Sequence, residues 1–455
     1  MKDLTQGPIG GHLAQMSLFI GASMLIQTLY YLVDLYFVAR LGEQALAGVS
    51  AAGTIMFVVL ALTQVLGVGT VTLISHAVGR KDQSDANLVF NQSLVLSTLC
   101  AAVVLGGGYG VTDAYMQQIS SDAGTAAAGK TYLHWFLPCL ALQFAVVALG
   151  SALRGTGIVK PTMLVQALTV ILNIILAPVL IAGWVTGRPL GVMGAALASS
   201  ISIAVGTIVL LVYFARLEHY VTIRRSQWRP RLETWRRMLN VGLPAGGEFA
   251  LMFVIVAVIY WCIRGFGADA QAGFGIGSRV MQCIFLPPMA IAFAASPIAG
   301  QNFGARRADR VLETYRTALR ACLAIMAILT LLCQWRPDLL VSPFSDDAGV
   351  LEAATRYLQI VSWNFIAMGI VFTCSGLFQA MGNTWPALLS SGARILTFVV
   401  PAVWLSTRPW VRLEHFWYLS VASVALQAVF SWGLLQKEFR RRLAFAAQPV
   451  AQQVG

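Results

Sequence analysis

Leu41-Gly42-Glu43-Gln44-Ala45-Leu46-Ala47-Gly48 returns 225 residues later as Phe266-Gly267-Ala268-Asp269-Ala270-Gln271-Ala272-Gly273, with glycines and small residues in the same register. The same offset lays Gly79 and its charged turn (Arg80, Lys81, Asp82) over Gly304 and its turn (Ala305, Arg306, Arg307). It also lays Gly157 and Pro161 over Gly382 and Pro386. Three anchors sharing one ungapped offset make the chain a duplicated unit.

The composition fixes the solvent in which the duplication folds. The chain is 58% hydrophobic and only 11% charged, with a mean hydropathy of +0.73, which places it in a bilayer. Crossing ~30 Å of hydrocarbon takes about 20 apolar residues at ~1.5 Å each. Twelve runs qualify, near 13–39, 47–77, 88–110, 131–153, 162–183, 191–214, 239–264, 275–300, 315–335, 355–379, 387–405 and 415–435. Six fall in each repeat. Six is even, so each half begins and ends on the same side of the membrane, and the halves are parallel repeats about an axis along its normal. The expected fold is all-α, with twelve transmembrane helices in two six-helix bundles. The expected divisions are an N-terminal lobe (1–215), a basic linker (216–237) and a C-terminal lobe with a short basic tail (238–455). Long self-similarity in so apolar a chain is what a membrane transporter of two related halves shows.

Orientation follows from the bias of Lys and Arg toward cytoplasmic loops. With both termini inside, most of the 31 Lys and Arg fall on the inner side. The heaviest cluster is 216–237, with seven arginines, followed by Lys437, Arg440, Arg441 and Arg442 near the end. The net charge of +12 is then a matter of topology and contact with anionic lipid, and it gives no case for nucleic acid. The expected location is the inner (plasma) membrane. The first apolar run, about 27 residues, is too long for a cleavable signal peptide and reads as a mature helix.

The seven Cys stand singly inside apolar runs, and the five His show no His-x-x-x-His spacing. They read as core residues, and neither a metal nor a cofactor is expected. Gly-x-Ser-x-Gly, His-Glu-x-x-His and paired catalytic acids are likewise missing, so an enzyme is not expected. No filter or ring motif repeats, which argues against a channel. A monomer is expected.

The stretch Gln27-Thr28-Leu29-Tyr30-Tyr31-Leu32-Val33-Asp34, running on to Leu41-Gly42-Glu43-Gln44-Ala45-Leu46-Ala47, resembles the multidrug and toxic compound extrusion (MATE) family. Gly300-Gln301-Asn302-Phe303-Gly304-Ala305 is similar to that family's signature after its eighth span. Gly157-Ile158-Val159-Lys160-Pro161-Thr162, then Asn173-Ile174-Ile175-Leu176-Ala177-Pro178, match its pattern around the fourth and fifth spans. The resemblance runs in order over nearly the whole chain. It implies a secondary antiporter of two bundles that exports cationic and amphipathic compounds in exchange for H⁺ or Na⁺.

Independently of the resemblance, only two of the 19 acids, Asp34 and Glu248, fall inside an apolar run. A carboxylate there costs roughly 2.5–3.5 kcal/mol on insertion scales, so it persists where it faces a wet cavity or a partner. Such an acid can load and unload a proton as its access to water changes. Tyr30 and Gln27 lie four and seven residues before Asp34, on one helical face able to hydrogen-bond around it. The resemblance implies that Asp34 couples the cation and that Gln27, Tyr30, Asn173 and Ser199 line its pocket. Under the 225-residue offset Asp34 falls on Ile259 and Asn173 on Phe398, so coupling is expected in the first half alone.

Three departures from the family bear on the ion. Many members carry an acid four residues after the fifth-span Asn, where this chain has Ala177; hard cations want several oxygens, so H⁺ is favoured over Na⁺. The archaeal branch has a first-span proline at the position of Phe19, so a proline-hinged first helix is not expected. The second-half acids of the sodium-driven branch are unmatched, with Met368 at one position and Glu248 a turn before the other.

For the substrate, Glu248 offers a negative point to cationic drugs, or else sits near the cytoplasmic interface paired with an arginine. Met281, Gln282 and Phe285, with Trp363 and Met368, would add soft and aromatic surface suited to promiscuous cationic ligands. Arg394 is read as structural, its head group reaching an interface or a partner acid. The twelve Trp fall mostly near the ends of runs, as interfacial anchors do. The expected partners are small amphipathic or cationic molecules, H⁺ (less readily Na⁺) and membrane lipid. The alternative is a flippase for lipid-linked oligosaccharides, which should carry a strongly cationic cavity, whereas Arg394 is the one clear intramembrane cation.

Overall fold

The structure is a computed structural model, and it describes residues 1–120, 122–184, 187–344 and 346–447. The last residues of the expected basic tail, 448–455, lie outside the described residues. The long helices of the first half are α1 (Ile9–Ala39), α2 (Glu43–Gly79), α3 (Gln83–Ile119), α4 (Ala123–Gly155), α5 (Lys160–Ile181) and α6 (Gly191–Arg216). Those of the second half are α7 (Leu232–Ile263), α8 (Ala268–Gly304), α9 (Ala308–Trp335), the single turn α10 (Asp338–Val341), α11 (Ala348–Val361) and α12 (Asn364–Ala380). They are followed by α13 (Trp385–Arg394), a π-helical turn (Ile395–Val399), α14 (Val400–Ser406) and α15 (Leu413–Arg442). The described residues contain no strand.

Among the described residues eleven helices are long and apolar enough to cross a membrane, or twelve if the bent pair α11 and α12 is one span. That pair is the tenth expected run, broken by 58° at Ser362–Trp363. The eleventh run is also interrupted. Pro401 lacks an N–H and its ring crowds the carbonyl four residues back, so the backbone widens into the π turn directly after Arg394. Helix α1 is unbroken and has no internal proline.

The 225-residue repeat is written into the backbone. Helices α2 and α8 begin and end 225 residues apart, as do the starts of α3 and α9, the ends of α4 and α12, and the starts of α5 and α13. Gly42 (φ 108°, ψ 172°) caps α2 and Gly267 (φ 94°, ψ 176°) caps α8; only glycine holds that conformation without strain. Each Gly-plus-charge turn closes alike: Asp82 N–H bonds Ala77 C=O and Lys81 N–H bonds Val78 C=O, while Arg307 and Arg306 repeat this onto Asn302 and Phe303. This double closure satisfies the carbonyls orphaned at a helix end. It places Lys81 (φ 59°) and Arg306 (φ 56°) in the left-handed region, at matching positions.

The chain forms two compact units. The first comprises Met1–Asp3 and Ala22–Gly246; the second comprises Leu4–Gly21 and the chain from Gly247 onward. The cuts within α1 and α7, after Gly21 and after Gly246, are themselves 225 residues apart. In the first unit α4 is central and packs on α2, α3 and α6, with α5 on α6. The close crossing of α2 and α4 rests on Gly48, where a Cβ would fall 2.7 Å from the backbone of Thr125 and Gly129. In the second unit α8 packs on α9, α11 and α12, and α15 on α11, α12 and α13. There Gly273, the duplicate of Gly48, lies against Ala353 and Ala354, the duplicates of Ala128 and Gly129. Glycine at a crossing lets two backbones approach, the main source of helix association where burial of apolar surface gives no net drive.

The segment between α6 and α7 is tied to α3 by a ladder of amides. Asn87 accepts from Thr222 N–H and donates to Tyr220 C=O; Asn91 accepts from Arg224 N–H and donates to Thr222 C=O. Gln92 accepts from Arg231 N–H and donates to the carbonyls of Gln227 and Arg229. At the start of α7, Arg237 pairs both its terminal nitrogens with Asp85 at 3.1 Å.

Candidate functional site

Asp34 lies five residues before the end of α1, about 7.5 Å by helical rise, so it stands in the last turns of that helix and not at its middle. Its Oδ2 accepts from the Tyr132 hydroxyl of α4 at 3.4 Å, and its Oδ1 is enclosed without a partner. Tyr132 is buried and stacks on Phe136 at 4.8 Å; one turn beyond Phe136 on the same helix lies buried Cys139, an electrostatic neighbour of Asp34. An unpaired carboxylate oxygen in an enclosed site costs about 1–3 kcal/mol or more, so the arrangement suits a group that exchanges a small cation.

Of the residues expected around Asp34, Tyr30 is half-buried and Gln27 is exposed on the unit's surface. Asn173 on α5 and Ser199 on α6 form a pair of their own: Asn173 Nδ2 donates to Ser199 Oγ at 3.3 Å, both residues buried. Asn173 Oδ1, like Asp34 Oδ1, is enclosed without a partner. Ala177, where a second acid would stand, is fully buried. Tyr132 was not singled out from the sequence. A signal existed, since the 225-residue offset lays it on Tyr357, the same hydroxyl in the other half.

In the second unit Glu248 lies 16 residues into the 32-residue α7, at its middle and not near an end. Its Oε2 accepts from Ser375 Oγ on α12 at 2.9 Å. No arginine lies within ion-pair distance of it among the described residues, because the mid-helix position places it beyond the charged ends. The soft and aromatic residues separate into two kinds. Met281 takes the Tyr357 hydroxyl on its sulfur at 2.9 Å, Phe285 is buried edge-on to Phe365 and Phe372, and Met368 packs on the core. Gln282 is exposed, as is Trp363 at the bend between α11 and α12. Two surface clefts of this unit, around Glu352, Arg356 and Glu414, include none of these residues.

Arg394 ends α13, ten residues into the span. Its Nη2 donates to Ser420 Oγ at 3.3 Å, its guanidinium lies 5.7 Å from the Phe398 ring, and its Nε is enclosed without a partner. The partner acid expected for it is not found among the described residues.

The family is decided by two stretches of the chain. Residues 20–179 and 244–405 each match MatE, one stretch per half. The chain belongs to the MatE family. It is similar to the probable multidrug resistance protein YoeA of Bacillus subtilis (strain 168), 26% identical over 94% of each chain. It is also similar to the FAD transporter of Shewanella oneidensis, 24% identical over 88% of this chain and 89% of that one. In structure it resembles a MATE protein in the bent conformation, with a TM-score of 0.92, 98% of each chain covered and 21% identity. The all-α fold of apolar spans is thus that of MatE transporters, a multi-pass integral membrane architecture.

Proposed function

We propose that the protein exports cationic and amphipathic small molecules across the inner (plasma) membrane, in exchange for H⁺, by alternating access. The single observation that carries the coupling role is Asp34, a carboxylate with one oxygen on Tyr132 and the other enclosed without a partner. Protonation of Asp34 from outside neutralises the site and releases the exported molecule; opening inward returns the proton and admits the next one. Export of drugs is supported by relatives such as the multidrug export protein MepA of Staphylococcus saprophyticus and the probable multidrug resistance protein of Bacillus subtilis. The choice of H⁺ over Na⁺ is supported by Ala177, which leaves no second carboxylate on α5 for a hard cation.

In this reading both termini are cytoplasmic, the lobes 1–215 and 238–455 move against one another, and the basic linker 216–237 faces anionic lipid. Gln27, Tyr30, Asn173 and Ser199 line the coupling pocket of the first lobe. Glu248 is the negative point that draws cationic substrate, and Met281, Gln282, Phe285, Trp363 and Met368 offer soft and aromatic surface to it in the second lobe. A monovalent cation exchanged for H⁺ moves no net charge and draws on the pH difference. For a neutral amphiphile the energy suffices: its exchange for one H⁺ moves one net charge, about 2.3 kcal/mol through 100 mV. At ~1.4 kcal/mol per tenfold that sustains a gradient of several tens-fold.

The test is efflux of a fluorescent organic cation from inverted vesicles, with proton and sodium gradients imposed separately. Transport should respond to the proton gradient, and Asp34→Asn should abolish it while the protein still inserts and folds. Full efflux in that variant removes Asp34 from the mechanism, and a response to sodium alone overturns the ion assignment.

A further inference from the structure

The 225-residue offset pairs the surroundings of Asp34 with those of Arg394. Tyr132, which donates to Asp34, falls on Tyr357, an electrostatic neighbour of Arg394; Cys139, beside Asp34, falls on Asn364, which donates to the same Ser420 oxygen as Arg394. Asp34 itself falls on Ile259, and Arg394 falls on Thr169. Each half thus keeps the tyrosine and places one intramembrane charge near it, from a different helix and of opposite sign. No acid among the described residues lies within ion-pair distance of Arg394.

We propose that Arg394, Asn364 and Ser420 form a binding site in the second unit for the carboxylate or phosphate group of an amphipathic molecule. Arg394 keeps partial accessibility, while its enclosed Nε has no acceptor. A guanidinium offers a planar fork that matches two oxyanion oxygens, and here one edge of the fork lacks a partner. Asn364 Nδ2 and Arg394 Nη2 converge on Ser420 Oγ at 3.4 and 3.3 Å, so three polar side chains from α12, α13 and α15 meet at one point. One turn before Ser420 on α15, buried Trp417 has an indole N–H without an acceptor, and it packs on Tyr357 at 4.7 Å between centroids. Around this point two donors, Arg394 Nε and Trp417 Nε1, and one acceptor, Asn364 Oδ1, are without partners. The π turn that follows Arg394 sets the local geometry, a feature frequent where a helix carries a site. Ionised side chains inside a membrane persist where they meet a counter-charge or a substrate, and the oxyanion supplies the partner that Arg394 lacks within ion-pair distance, Glu248 of the same unit being bonded to Ser375. The inference goes beyond cation export: it makes zwitterionic and anionic amphiphiles ligands of the second unit. It rests on the geometry of that unit and not on the coupling role of Asp34.

The test is binding to the purified full chain, which separates its failure from any failure of transport. A matched probe pair is used, 6-(dansylamino)hexanoate and its neutral amide, titrated calorimetrically against protein in nanodiscs of zwitterionic lipid. The carboxylate should bind at least tenfold more tightly than the amide. Arg394→Gln should abolish that preference with amide binding unchanged, Arg394→Lys should retain part of it, and Ser420→Ala, which keeps the cation, should reduce it several-fold. Equal affinity for both probes, or a preference that survives in Arg394→Gln, overturns the proposal; if Arg394→Gln does not fold, an unreduced preference in Ser420→Ala and Arg394→Lys overturns it. Repeating the titration in phosphatidylglycerol nanodiscs separates the sources of the anion. An unchanged affinity assigns the site to a soluble amphiphile, and a tenfold loss assigns it to a lipid headgroup.

Discussion

The hydroxyl of Tyr132 donates to Asp34 across two helices of the first unit, at 3.4 Å, and the remaining oxygen of that carboxylate has no partner. A membrane-level acid is thereby held by one weak bond on one side only. Hydrogen bonds to charged groups contribute about 1.5–3 kcal/mol, and one this long belongs at the low end. Tyr132→Phe should therefore slow efflux about tenfold while the protein remains inserted and folded. Tyr132→Ala should also lose about 3–5 kcal/mol of stability, since the ring is buried on Phe136. Initial efflux rates, with melting temperatures in detergent, separate the two effects; an unchanged rate in Tyr132→Phe would show that the hydroxyl is a bystander.

Glycines at crossings and glycines in the open should respond in opposite directions. A Cβ at Gly242 of α7 would overlap the carbonyl oxygen of Val65 on α2. Gly242→Val should cost more than the usual 1–3 kcal/mol of overpacking, because the obstacle is backbone and cannot rotate away. Gly107, inside α3, has nothing within 4 Å of a built Cβ, so Gly107→Ala should gain up to about 1 kcal/mol of helix propensity. Thermal unfolding in one detergent should show a large fall for the first variant and a small rise for the second.

The linker between α6 and α7 is rich in arginine and exposed at most of its residues, Glu218 and Val221 being buried, and Asn91 fixes it from a fully buried position. Asn91→Leu removes bonds to Arg224 N–H and Thr222 C=O, each contributing about 1 kcal/mol. Local opening should then rise by at least tenfold, and trypsin should cut near Arg224 and Arg225 that much faster than in the parent. A cleavage rate equal to the parent's would mean that the amide ladder does not hold the segment.

Asp85 pairs with Arg80 at 2.8 Å and with Arg237 at 3.1 Å, but both arginines are more than a third exposed. Solvent screening limits each pair to about 0.2–1 kcal/mol. Asp85→Asn should therefore lower stability by no more than about 2 kcal/mol, and the deficit should shrink as salt is raised toward 1 M. A deficit indifferent to salt would point to lost packing at the start of α3.

Much of this architecture was legible in the chain alone, because the membrane and the duplication each impose a period that one sequence displays. Apolar runs long enough to span a bilayer mark the helices, and the offset read from Gly42 and Gly267 reappears in their backbone angles. Only a residue without a Cβ tolerates that turn, so the letter and the geometry are the same fact. Asp34 and Arg394 could be singled out for a similar reason: a charge in hydrocarbon is costly enough to be conspicuous.

What a charge touches depends on helix rotation and crossing, and no one-dimensional pattern records those. The sequence grouped Gln27, Tyr30 and Asp34 by their spacing on one helix, whereas the bond to Asp34 that the structure displays comes from Tyr132, 98 residues away on α4. It left Glu248 either as a negative point for cationic substrate or near an interface beside an arginine, and the helix begins early enough to carry it to mid-length, against Ser375. It gave Arg394 an interface or a partner acid, and the second unit places it among Ser420, Asn364 and Tyr357 with no carboxylate beside it. Where the spans lie follows from hydropathy, which is local and additive. Which side chains meet follows from how bulky and small residues interlock between helices, and that is settled only when the whole unit packs.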